Sequence, residues 1–121
     1  MLTLERLSAA YSSSRVLWDV DLQVGKGEAV ALLGRNGAGK TTLLRTIVGL
    51  HQASGGKITF DGRDVTRMSA HERARLGVAY VPQGRGIFPH LTVELNLRMG
   101  AAGVASNGGA SRALPDAAIF A

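Results

Sequence analysis

With 121 residues, 45% of them apolar and 19% charged, the chain has the composition of one ordinary globular domain. It contains no cysteine, which excludes disulfides and thiolate metal sites. Its formal charge of +5, from 11 Arg and 3 Lys against 9 acids, is dispersed without a basic run, so no nucleic-acid partner is expected.

The N-terminus, Met1 to Arg6, carries an early acid and no long apolar region, so neither a signal peptide nor a membrane span is expected there. Leu2, Leu4 and Leu7 alternate in part and predict an edge strand. Tyr11 to Arg15 is a polar turn. Val16 to Val24 sets Val20, Leu22 and Val24 against Asp19, Asp21 and Gln23, the pattern of a half-exposed antiparallel strand. Gly25-Lys26-Gly27-Glu28 then turns the chain into Ala29-Val30-Ala31-Leu32-Leu33. This unbroken apolar run predicts a parallel strand buried on both faces, and it is too short to insert into a bilayer.

The next stretch, Gly34-Arg35-Asn36-Gly37-Ala38-Gly39-Lys40-Thr41-Thr42, fits G-x-x-x-x-G-K-[ST], the phosphate-cradling P-loop. Its glycines free the backbone to wrap, so successive N–H groups can point at an anion. Lys40 is expected to reach the terminal phosphates and the Thr41 hydroxyl to hold Mg²⁺. The composition predicts only about 0.006 chance matches in a chain of this length. Leu43, Ile47 and Leu50, with Leu44 and Val48 beside them, recur at helical spacing after the loop. Strand, loop, helix is the order that phosphate binding requires, because the helix N-terminus adds its dipole.

Ala53 to Gly56 reads as a loop, Lys57 to Phe60 as a short strand, and Asp61-Gly62 as the turn that closes it. Ser69 and Glu72 form a capping box that opens a short helix, ended by Gly77; Arg73 and Arg75 are expected on its solvated face. Val78 to Val81 predicts a second buried strand, stopped by Pro82. Thr92 is expected to cap a helix through Met99. Residues 100–111, rich in Gly, Ala and Ser and uncharged, read as a flexible linker, and residues 112–121 as the start of a truncated helical segment. His51, His71 and His90 are scattered without carboxylates at ligand spacing and read as surface or packing residues.

Tyr11, the P-loop, Gly55-Gly56-Lys57-Ile58 and Val81-Pro82-Gln83 stand in the order and spacing of an ABC-transporter ATPase subunit, and residues 1–99 resemble the N-terminal part of that domain. The segment from Tyr80 to Leu97 is similar to the LivF-like ATPases of branched-chain amino acid importers and to the related urea importers; Gln83-Gly84-Arg85 leans to the urea branch. The resemblance implies an α/β fold, a P-loop core of mainly parallel strands beside an antiparallel edge sheet. It implies ATP and Mg²⁺ as ligands, and roles for Gly34 to Thr42 on the phosphates. Tyr11 would stack on adenine, and Gln83 would touch Mg²⁺ and the attacking water and couple the site to the membrane subunit. It further implies transmembrane permease subunits and a second ATPase subunit as partners, in a homo- or heterodimer. The protein would sit in the cytoplasm, peripheral on the inner face of the cell membrane.

The family's Leu-Ser-Gly-Gly-Gln motif, the acid ending its Walker B strand, the adjacent catalytic Glu and the switch His are absent from these residues, so no catalytic residue is assigned. Gly86 and Leu95 depart from the family pattern, and Leu95 cannot complete a capping box with Thr92. Two other readings compete. A GTPase would show Asp-x-x-Gly and Asn-Lys-x-Asp, which do not occur. A nucleotide-binding fragment without hydrolytic activity is the remaining alternative.

Overall fold

The leucine-rich N-terminal stretch folds as a hairpin because two alternating segments flank the polar pair Ser12-Ser13. In the computed structural model, which describes residues 1–84 and 86–102, β1 (Leu2–Tyr11) pairs antiparallel with β2 (Ser14–Val24). The register runs from Leu2 opposite Val24 to Tyr11 opposite Ser14. On its other side β1 pairs antiparallel with β3 (Gly55–Phe60), which pairs with the short β4 (Arg63–Asp64). The sheet order is β2-β1-β3-β4. β1 is therefore an inner strand, not the edge strand its alternation suggested. The pattern looks weak because β1 bulges at Arg6, whose φ is 45°, so that Leu7, Ser8 and Ala9 are all buried in succession.

Gly56 makes that bulge possible. It is the second residue of β3, so the strand begins within the stretch read as a loop. Its φ is 82°, and a Cβ placed there would stand 2.3 Å from the Arg6 carbonyl oxygen. Gly56→Ala should cost roughly 2–3 kcal/mol, from positive φ and forced backbone movement together. A denaturant titration showing a loss below about 0.5 kcal/mol, the scale of an ordinary surface substitution, would contradict this. The β3–β4 turn follows its sequence: Asp61 and Gly62 have φ of 45° and 78°, the two positive values of a type I′ turn.

α1 (Lys40–Ile47) packs on β1 and β2. Its buried face is Thr42, Leu43 and Thr46, while Leu44 and Leu50, expected on the apolar stripe, are exposed. Leu43 joins Leu4, Leu7, Ala9, Leu17, Ile58 and Val65 in the core. α2 (Ala70–Arg75) opens on the expected capping box. The Ser69 N–H donates to Glu72 Oε2 at 2.7 Å, and the Glu72 N–H returns to Ser69 Oγ at 3.3 Å.

Arg73 corrects the expectation of a solvated helix face, being only 2% exposed. Its guanidinium donates to the carbonyls of Thr46 and Ile47, both at 2.7 Å, and to those of Thr66 and Met68, both at 3.0 Å. Two of these are end carbonyls of α1, which lack intrahelical partners and carry the negative end of the helix dipole. Burial holds the guanidinium below its ordinary pKa. Arg75, by contrast, is exposed as expected.

The two predicted parallel strands do not form ladders. Residues 29–33 and 78–81 lie outside the sheet, with Leu33 88% and Val81 83% exposed. A strand is defined by its neighbour, and a parallel neighbour must be brought alongside by a crossover. Among the described residues no strand flanks either run.

Residues 1–73 form one unit, and the second begins at Ala74. In the second unit Thr92 caps α3 (Val93–Ala102) by accepting the Leu95 N–H at 3.2 Å. Asn96 ties the preceding loop to this helix: its amide donates to the Phe88, Leu91 and Thr92 carbonyls, and its Oδ1 accepts the Phe88 N–H. α3 runs three residues into the stretch read as a linker; the rest of that stretch and residues 112–121 lie outside the described residues. No helix among the described residues is long and apolar enough to cross a membrane.

Candidate functional site

The P-loop occupies the connection into α1. Asn36-Gly37 turns the chain, with the Ala38 N–H donating to the Arg35 carbonyl at 3.1 Å. Gly39 is the N-cap of α1, at φ 86° and ψ 4°, with no side-chain cap, and the first turn carries no acid. The helix end thus presents its amides and positive dipole end without a competing carboxylate. Glycine suits position 39 because the backbone is left-handed there. A Cβ would also stand 2.9 Å from a Leu17 methyl carbon, which would have to shift. The loop is therefore pressed onto β2.

Lys40 bends back over the loop, its Nζ donating to the Gly34 carbonyl at 2.6 Å and the Arg35 carbonyl at 2.7 Å. An ammonium has three N–H groups, so two carbonyls leave one for a phosphate oxygen. Thr41 is exposed on the first turn, where its hydroxyl suits an oxygen-seeking cation. Thr42 is buried among α1's packing residues, so any phosphate contact from it would come from its N–H, not its hydroxyl. Gly34 to Ala38 are all exposed.

Tyr11 ends β1, two positions beyond Ala9, which is paired with the same Leu17 that the loop touches. The sheet thus places the aromatic and the phosphate loop on one stretch of β1–β2. Tyr11 is 43% exposed, and one face of its ring meets His51, centroid to centroid 4.3 Å with planes tilted 31°. Gln83 belongs to the second unit, on an exposed turn after Pro82. Arg85, beside it in the sequence, lies outside the described residues.

Sequence reasoning missed the contacts of His51 and Arg73. The deciding partners are distant in the chain: Ala10 and Tyr11 for His51, and Thr46 and Ile47 for Arg73.

A family model for ABC transporters matches residues 17–119, and the chain belongs to that family. Over 91 residues it is 52% identical to a probable ABC transporter ATP-binding protein of Azorhizobium caulinodans, covering 75% of this chain and 32% of that protein. It is 44% identical over 100 residues to the high-affinity branched-chain amino acid transport ATP-binding protein BraG of Pseudomonas aeruginosa, covering 83% and 43%. It is 47% identical over 97 residues to the lipopolysaccharide export system ATP-binding protein LptB of Haemophilus influenzae, covering 80% and 40%. The chain thus spans less than half the length of these curated relatives. Among solved structures, an ATP-binding subunit of an ABC transporter superposes with a TM-score of 0.76 at 34% identity, covering 97% of this chain and 45% of that one.

Proposed function

We propose that the chain binds Mg-ATP as part of the ATP-binding subunit of an ABC importer for branched-chain amino acids or a related small solute such as urea. One observation carries the nucleotide reading: a P-loop at an uncapped, acid-free helix N-terminus, with Lys40 held over its mouth. Gly34 to Thr42 would bind the phosphates and Tyr11 would stack on adenine. Mg²⁺ would be held by Thr41, whose exposed hydroxyl fits it; bound there it would neutralise phosphate charge. Permease subunits and a second ATPase subunit would complete the transporter, with this subunit in the cytoplasm, peripheral on the inner face of the cell membrane.

The branched-chain amino acid reading is supported by BraG and by the probable branched-chain amino acid transport ATP-binding protein LivF of Archaeoglobus fulgidus, 41% identical over 101 residues. An export role is a second reading, favoured by the comparable identity to LptB.

Thermal unfolding tests the nucleotide step. Mg-ATP at 100 times its Kd should stabilise the folded chain by about 2.7 kcal/mol. Lys40→Ala should remove most of that gain. A folded sample indifferent to Mg-ATP, or an unchanged response in Lys40→Ala, would refute the reading.

A further inference from the structure

We propose that His51 is a positioning residue for the nucleotide base, acting through Tyr11; this rests on the nucleotide reading above. Three contacts carry it. The imidazole lies against one face of the Tyr11 ring, 4.3 Å between centroids. Its Nε2 stands 3.1 Å from the Ala10 carbonyl oxygen, so the tautomer protonated at Nε2 donates a hydrogen bond to β1. Its backbone N–H donates to the Arg45 carbonyl in the last turn of α1, also at 3.1 Å.

His51 is thereby fastened on one side to the helix whose N-terminus forms the phosphate loop, and on the other to the strand that carries Tyr11. An aromatic side chain at the end of a hairpin strand would otherwise sample several rotamers. With His51 filling one face, the ring is oriented and a single face is left for a base. The device sets the position of the base platform relative to the phosphates. It contributes to base affinity without touching the nucleotide.

Substitutions at position 51 separate the ring from the hydrogen bond. His51→Gln keeps a side-chain donor for the Ala10 carbonyl and removes the ring; His51→Phe does the reverse. Binding of Mg-ATP and of Mg-tripolyphosphate, which has no base, is measured by calorimetry for both variants. His51→Gln should weaken ATP about three- to tenfold, the worth of one aromatic pair, and leave tripolyphosphate unchanged. His51→Phe should hold ATP within about twofold. In a Tyr11→Ala background His51→Gln should have no further effect, since coupled residues are not additive.

The proposal is overturned if His51→Gln binds ATP as the parent does, if it loses ATP and tripolyphosphate equally, or if its effect persists without Tyr11. Unchanged tripolyphosphate binding also reports that the variant is folded. If neither ligand binds the parent chain, the nucleotide reading fails and this inference falls with it.

Discussion

Arg73→Ala is expected to lower the unfolding free energy by roughly 2–4 kcal/mol, measured as a fall in denaturant midpoint at constant slope. The guanidinium satisfies four carbonyls, of which the Thr46 oxygen lies on a residue with no exposed surface. Truncation leaves those acceptors in a space too enclosed for full hydration, and an acceptor stranded in that way costs about 1–3 kcal/mol. The loss also removes a positive charge from the C-terminal end of α1, where the helix dipole favours one. Among the described residues no carboxylate pairs with Arg73, so the effect comes from the carbonyl bonds and the helix end, not from an ion pair. Arg73→Lys should recover only part of it, because an ammonium has three donors and lacks the planar fork that spans four oxygens. A loss below about 0.5 kcal/mol in Arg73→Ala would show that the guanidinium does not hold the helix end.

Residues 1–121, prepared alone, are expected to bind Mg-ATP while releasing phosphate near the background rate. The P-loop offers amides, a helix end and Lys40 to the phosphates, which is charge stabilisation. Phosphoryl transfer also needs an oriented water and a fully coordinated Mg²⁺. The resemblance described above leaves the family's Walker B acid, catalytic Glu and switch His without a counterpart in this sequence, and its sole Ser-Gly-Gly, Ser54-Gly55-Gly56, enters β3. A chain extended with those motifs should turn over ATP, and Lys40→Ala should abolish that activity. Equal phosphate release from residues 1–121 and from the extended chain, sensitive to Lys40→Ala in both, would refute the separation of binding from turnover.

Features whose hydrogen bonds close within a few residues were legible in the sequence. The Ser69–Glu72 capping box, the Thr92 cap, the Asp61-Gly62 turn and the P-loop at the head of α1 all stand where local rules put them. Their donors and acceptors are neighbours in the chain, so residue type and spacing are sufficient. The resemblance to an ABC ATPase was legible for the same reason, since its motifs are short and contiguous.

Other features depend on what a residue meets across the fold. β1 is an inner strand because β3 returns to its far side, and the bulge at Arg6 works because Gly56 faces it. Arg73 reads as a surface cation until α1 ends against it. His51 reads as an ordinary histidine until Tyr11 and Ala10 are brought to it. The apolar run Ala29 to Leu33 shows the converse. Its composition alone determined that it suits burial on both faces, but a strand also needs neighbours to pair its backbone before layers can cover its faces, and among the described residues no strand lies beside it. Residue type sets what a segment can do, and the partner brought alongside it, often tens of residues away, decides what it does.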